Sequence, residues 1–208
     1  MDDPFREPRR RMVEEQLRCR GIVHEAVLRA MDKVPRHLFV PGEAQERSYS
    51  DCPLAIGRGQ TISQPYIVAY MTEQLELAGG ETVLEIGTGS GYQAAILAET
   101  AARVCTVEVI PELAASARGL LEERLGYRNI LFRVGRGQEG WPEFAPFDRI
   151  LLTAAPAEFP PLLLDQLAEG GIALAPLGAA GQRLVRFRKR NGGVRAEELI
   201  GVIFVPLV

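Results

Sequence analysis

The sequence predicts an α/β fold of the doubly wound, Rossmann-like kind, with a mostly parallel central sheet, antiparallel C-terminal strands and a helical N-terminal portion. Three observations predict it. A short apolar strand, Thr82 to Ile86, runs directly into Gly87, Gly89 and Gly91 and then into a helix from Tyr92. Strand and helix patterns alternate from there to Gly178, which demands right-handed crossovers between parallel neighbours. Beyond that point QRLVRFRKR, the turn NGG and the later GVIFVPLV read as strands with no full helix between them, so antiparallel additions at an edge are expected. We expect a single domain over residues 1–208, with 1–60 as the helical portion, 61–180 as the α/β core and 181–208 as the C-terminal strands.

The elements follow in order. Met12, Val13 and Leu17 give a helix from Arg9 to Arg20 an inner face. From Ile22 to Val34 the apolar residues again recur at helical spacing, and Pro35 closes the run. The next stretch is Pro-rich and irregular, and it leads into GRGQTISQP, Gly57 to Pro65. Pro65 suits the first turn of a helix reaching Leu77, because its missing N–H has no partner there. Ser63 then lies close to a cap position. After the glycine turn come strand RVCTVEV, helix PELAASARGLLEERL, strand NILFRV, strand FDRILLTAA, helix PPLLLDQLAEGG and strand IALAPLG.

Composition narrows the function. At 47% hydrophobic and 25% charged residues the chain can build a substantial core. A net charge of −3 gives no global attraction to nucleic acid or an anionic membrane, and no apolar run is long enough to span a bilayer. Three scattered cysteines make neither a disulfide framework nor a zinc pair, and two histidines argue against a His-rich metal site. Cys105 falls in a buried strand as an inert thiol, and Cys52 has no evident base. His24 and His37 read as packing or surface residues. The arginines of QRLVRFRKR read as a solvated face around Val185 and Phe187. The expectation is a cytoplasmic, metal-free monomer with no nucleic-acid or membrane partner.

The turn VLEIGTGSGYQAAIL sets backbone N–H groups close to a ligand at a helix terminus. No Lys-Ser/Thr pair follows it, so it is not a phosphate P-loop. Tyr92 stands where a dinucleotide fingerprint needs Gly or Ala. Glu108, about 20 residues on, suits ribose hydroxyls of either NAD or S-adenosylmethionine. Glu85 separates the two, since a carboxylate repels a pyrophosphate but favours a cationic amino-acid end. The methyl donor S-adenosyl-L-methionine is therefore the expected cofactor, with S-adenosyl-L-homocysteine as product.

At these residues the sequence resembles a family. VLEIGTGSGYQAAIL with GQTISQPYIVAYMTE, and also VPRHLFVP, YSDCPLAIG, PFDRILLTAA, DQLAEGG and FVPL, is similar to protein-L-isoaspartate (D-aspartate) O-methyltransferases, from about Arg9 to the C-terminus. The resemblance implies a class I S-adenosylmethionine-dependent methyltransferase that repairs damaged proteins. It would esterify the α-carboxylate of isoaspartyl residues, and would act on D-aspartyl residues too. The ester closes to a succinimide that partly returns to aspartate. Isoaspartyl peptides and proteins would be its partners. Ser63 matches the family's active-site serine, with Thr61 supporting its loop. Asp51, Ile56, Gln64 and Val205 match segments around the substrate. Glu85, Gly87, Thr88, Gly89, Ser90, Gly91, Glu108, Arg136 and Gly137 fall at the cofactor site. One position departs from the pattern. The family usually has Gly-Asp-Gly after the third strand, where the Asp accepts from the adenine amino group. Arg136 stands there instead and has only donors, which leaves backbone carbonyls or Gln138 to substitute.

The implied chemistry suits the composition. A carboxylate with a pKa near 4 is already ionised at neutral pH and leaves no work for a base or a metal. Holding it in line and excluding water suffices. Two other functions stay open on sequence. One is a methyltransferase of RNA or a small molecule, against which TAAP stands where amine methylation usually has Asn/Asp-Pro-Pro-aromatic. The other is a cofactor-binding module without turnover, which the Arg136 departure favours.

Overall fold

The computed structural model describes residues 3–179 and 181–208. Residue 180, the expected boundary between core and C-terminal strands, lies outside the described residues. Helix α1 (Arg6–Arg11) continues through a π-helical turn, Met12–Leu17, and a 3-10 turn, Arg18–Arg20. Met12, Val13 and Leu17 are buried, as their spacing requires. Helix α2 (Glu25–Lys33) begins later than the apolar pattern suggests, because Glu73 Oε1 accepts the N–H groups of Val23 and His24, each at 2.8 Å, and holds them outside the helix.

The irregular stretch contains a hairpin that periodicity did not reveal. Strands β1 (Leu54–Gly57) and β2 (Gln60–Ile62) pair antiparallel across Arg58 and Gly59, whose φ values of 54° and 72° suit a two-residue turn that follows the strand twist. Helix α3 (Pro65–Gln74) opens on Pro65 as expected. Its N-cap is Gln64 and has no side-chain cap bond, so Ser63 does not cap the helix.

The core follows the expected alternation: β3 (Thr82–Ile86), α4 (Tyr92–Thr100), β4 (Arg103–Glu108), α5 (Pro111–Arg118, extended by a π-helical turn to Arg124), β5 (Ile130–Val134) and β6 (Phe147–Leu152). Helix α6 is short, Pro161–Asp165, and β7 already begins at Leu167 and runs to Leu177. The helix expected through Gly171 ends at Asp165 instead, and Gly170, at φ 78°, lies within β7 in a conformation no helix uses. The hairpin of β8 (Arg183–Arg190) and β9 (Gly193–Gly201) turns at Asn191 and Gly192, both at positive φ. The second strand is therefore the charged GVRAEELIG and not GVIFVPLV, whose residues after Gly201 form only an isolated bridge, Ala155 to Pro206.

The large sheet has the order β5-β4-β3-β6-β7-β8-β9, parallel from β5 through β7 and antiparallel at β8 and β9. Its two faces are buried in separate apolar clusters, one formed with α2, α3 and α4, the other around Phe147, Leu163 and Phe187. Cys105 is fully buried in β4, and burial pushes its thiol up to about 11, so it is inert. Arg186 and Arg188 of β8 pair with Glu76 and Glu197, which offsets part of the charge of the basic strand. No helix among the described residues is long and apolar enough to cross a membrane.

Candidate active site

The order of strand addition reverses between β3 and β6, with β4 and β5 on one side and β6 and β7 on the other. Loops leaving the carboxyl ends of strands at such a point diverge and open a crevice. Here the two loops follow β3 and β6, and they touch. Gly87, at φ 98°, has no room for a side chain, because a Cβ would collide with Thr153 Oγ1. That hydroxyl lies 3.0 Å from the Ile86 carbonyl and 2.6 Å from the Gly87 carbonyl, which ties the loops together. A Cβ on Gly91 would meet Leu121 and Ala117. The glycines thus admit helix packing as well as a ligand.

Glu108 closes one side of the crevice. Its Oε2 accepts the Gly89 N–H at 2.8 Å and its Oε1 the Ile110 N–H at 3.0 Å, and each oxygen keeps a lone pair for a further donor. Glu85 lies behind the turn, fully buried and outside the cavity lining. Thr106, its cross-strand neighbour, donates to Oε2 at 2.5 Å, and Thr88 Oγ1 stands 2.6 Å from Thr106 Oγ1. Burial pushes the Glu85 carboxyl up to about 8; the Thr106 bond opposes the shift, and the Glu108 charge adds to it. Its Oε1 is buried with no partner.

Gly87, Thr88, Gly89, Ser90, Glu108 and Gly137 line this cavity together with Thr61, Ser63 and Val205. Thr61, Ser63, Thr153 and Val205 also line a second, adjoining cleft, where they are joined by Gln64, Ile67, Gln182 and Arg183. Ser63, between β2 and α3, thus stands at the junction of two hollows. Its hydroxyl has no hydrogen bond among the described residues. Val205 reaches the junction because the C-terminal segment is clamped to the loop after β6, with Ala155 donating to the Val205 carbonyl at 2.8 Å and Leu207 to the Ala155 carbonyl at 2.9 Å.

The remaining expected residues lie off the linings. Asp51 pairs with Arg20, and its carbonyl accepts from Gln64 Nε2 at 3.0 Å, so it braces the Ser63 segment from outside. Ile56 packs towards Gly89, where a Cβ would stand 3.6 Å from its Cδ1. Arg136 is exposed, and Gly137 alone of that segment reaches the cavity. Gln138 Oε1 is buried without a partner.

Sequence reasoning missed Thr153, Gln60 and Gln182. Thr153 carried a usable signal, since it directly follows a central parallel strand beside the switch point. Gln182 carried none. It enters through paired bonds to the Phe204 backbone, Phe204 N to Oε1 at 2.6 Å and Nε2 to the carbonyl at 3.1 Å.

The cavity fits S-adenosylmethionine. It offers a lining of small residues, Gly87, Gly89, Ser90 and Gly137, a carboxylate with free lone pairs, and a buried unpartnered acceptor behind the turn. Glu108 is the one charged side chain among its described lining residues, and Arg183 the one in the adjoining cleft.

Known proteins show the same arrangement of sequence and fold. The model of the protein-L-isoaspartate(D-aspartate) O-methyltransferase family matches residues 8–208. The protein-L-isoaspartate O-methyltransferase of Picosynechococcus sp. is 56% identical over 205 residues, 99% of this chain and 92% of its own. That of Methanoculleus marisnigri is 55% identical over 207 residues, 99% and 94%. A solved protein-L-isoaspartate O-methyltransferase superposes with a TM-score of 0.87 at 29% identity over 95% of this chain, which spans 65% of that longer one. A Plasmodium falciparum structure of the same description, in complex with S-adenosyl-L-homocysteine, gives 0.82 at 26% identity, covering 96% of this chain and 98% of its own.

Proposed function

The chain belongs to the protein-L-isoaspartate(D-aspartate) O-methyltransferase family, and on that premise we propose how its residues divide the work. The protein is a repair methyltransferase that esterifies the α-carboxylate of isoaspartyl residues in damaged proteins at the expense of S-adenosylmethionine. The cofactor supplies, when bound, an electrophilic methyl group and a neutral thioether leaving group.

In our assignment Glu108 holds the ribose hydroxyls, the turn from Gly87 to Ser90 brings the backbone against the cofactor while the Gly87, Gly89 and Gly91 N–H groups stay bonded to Val107, Glu108 and Thr88, and Gly137 abuts the adenine. Glu85 acts from behind the turn. Ser63 donates its free hydroxyl to the acceptor carboxylate. Thr61 and Val205 close the walls between the two hollows, and Gln64, braced by the Asp51 carbonyl, steadies the segment. Ile56 backs the glycine turn. Arg136 makes no contact in this assignment. Catalysis is by position and exclusion of water, because the acceptor is ionised before it arrives.

The single observation that carries this reading is that Ser63, with an unpartnered hydroxyl, lines both the cofactor cavity and the adjoining cleft. One cavity suits the methyl donor, the other an extended peptide. We propose one domain acting as a monomer on isoaspartyl peptides in the cytoplasm, a setting that three free cysteines suit. The test uses labelled S-adenosylmethionine with paired aspartyl and isoaspartyl peptides. Label confined to the isoaspartyl peptide is the expected result, and equal labelling of both, or of neither, rejects the reading.

A further inference from the structure

Arg36 heads the fully buried side chains by volume and is 0% exposed. Arginines are almost never buried to this degree without an anion beside them. Yet among the described residues no carboxylate lies within ion-pair distance of Arg36. Its Nε donates to the Ser48 carbonyl at 2.7 Å and one terminal nitrogen to the Ser63 carbonyl at 2.8 Å. The other terminal nitrogen is buried with no partner. The guanidinium carbon stands 4.8 Å from the centre of the Tyr92 ring. Burial lowers its pKa, but a guanidinium stays protonated at neutral pH. The fold therefore keeps a whole positive charge in its interior with no counterion among the described residues.

Its partners share a theme. Ser63 bears the hydroxyl at the junction of the two hollows, and Tyr92 lines the cofactor cavity. The junction has to receive an anion. The described lining residues offer it a carboxylate, Glu108, and in the adjoining cleft one cation, Arg183, already held by Glu198 at 3.5 Å and by the Leu199 carbonyl at 2.9 Å. Neither neutralises a carboxylate at Ser63.

We propose that Arg36 is a positioning residue for the acceptor, fixing the Ser63 segment and supplying the buried positive charge that the substrate carboxylate neutralises on binding. This rests on the isoaspartyl reading above. It also gives the site a direction. The carboxylate oxygen forms its bond to the methyl carbon as the carbon–sulfur bond breaks, the electron pair leaving with sulfur. The product is a neutral ester that no longer answers the charge, so Arg36 favours the substrate over the product. Because the stabilised species is the ground-state anion, the effect falls on KM more than on kcat.

The experiment compares an isoaspartyl peptide with its isoasparaginyl amide, which has the same shape and no charge. Binding of both is measured for the wild type, Arg36→Met and Arg36→Lys. The wild type prefers the carboxylate. Arg36→Met loses about tenfold of that preference, the order of factor that one charge pair inside a protein gives at an effective dielectric near 20. Its affinity for the amide stays within about threefold, its KM for the isoaspartyl peptide rises about tenfold, and its kcat changes less. Arg36→Lys restores part of the preference, and more of it at lower pH, because a buried ammonium loses its proton more readily than a guanidinium. A preference that survives in Arg36→Met, or equal losses for both peptides, overturns the proposal. Should Arg36→Met fail to fold by circular dichroism, the wild type decides alone. Its preference for the carboxylate should persist between about 50 and about 500 mM salt, because a buried charge is poorly screened. Collapse of the preference at high salt assigns it to a surface cation and overturns the proposal. A wild type that does not methylate the isoaspartyl peptide at all refutes the functional reading instead.

Discussion

Glu85→Gln is the most telling perturbation of the cofactor turn. In the folded protein the Glu85 carboxyl titrates near 8, against 4.5 for the free group, and burial is the main cause. A carboxyl whose folded pKa is raised contributes fully below its unfolded pKa and loses that contribution as pH climbs to the folded one. Between those limits each pH unit costs about 1.4 kcal/mol. From about pH 5.5 to about pH 8 the wild type therefore loses about 3 kcal/mol through this one group. In a chain of this size that corresponds to about 6–12 °C in Tm. Glutamine keeps an acceptor for the Thr106 hydroxyl and cannot ionise. Urea unfolding of both proteins across that range should show the wild type falling relative to Glu85→Gln by this amount, the other titrating groups cancelling in the difference. Binding adds a second readout. A ligand with a cationic ammonium and sulfonium draws the carboxyl into its ionised form, so the wild type releases up to about one proton on binding S-adenosylmethionine near pH 7. The variant releases none, and calorimetry in two buffers of different ionisation enthalpy counts the protons. Parallel stability curves for the two proteins would refute the reasoning outright.

Three further perturbations probe the rest of the site. Ser63→Ala removes a hydroxyl with no partner, so stability should stay within about 0.5 kcal/mol, S-adenosylmethionine affinity should hold, and kcat/KM for an isoaspartyl peptide should drop about tenfold or more; unchanged kinetics would remove Ser63 from the assignment. Gly87→Ala meets Thr153 Oγ1 at φ 98° and should destabilise by about 1–3 kcal/mol with loss of cofactor binding. Adding Thr153→Ala should recover part of that loss, whereas no recovery in thermal melts would mean the collision is not the cause. Arg136→Asp places an acceptor at the start of the 3-10 turn Gly137–Glu139 and should tighten S-adenosylmethionine binding by about threefold to tenfold; unchanged affinity by calorimetry would show that the adenine is read by backbone alone.

Much of this molecule was legible before folding, and the failures share a cause. Periodicity located β3 to β6 and α2 to α5 because each buries a stripe or a face against the sheet. It failed where the burying surface was far away in sequence. The GVRAEELIG strand has no apolar alternation of its own, since as β9 it lies at an exposed edge and is held by pairing with β8. The apolar GVIFVPLV looked like the better strand, but most of it was needed as a clamp on the loop after β6. The β1–β2 hairpin escaped notice because its turn, Arg58-Gly59, lacks the usual Asn-Gly or Asp-Gly signature.

The site divides along the same line. Chain-local chemistry determined the cofactor turn. Gly87, Gly89, Gly91 and Glu108 belong to a single βαβ unit, so the sequence that forms them also brings them together. The resemblance singled out Ser63 from the residues around it. Only the tertiary structure decided what surrounds Ser63. Val205 and Gln182 come from the C-terminal segment, and the Arg36 guanidinium reaches the Ser63 carbonyl across the N-terminal portion. Glu85 shows the same limit. Its place before the glycines was readable, but its raised pKa comes from burial, and burial belongs to the packed whole.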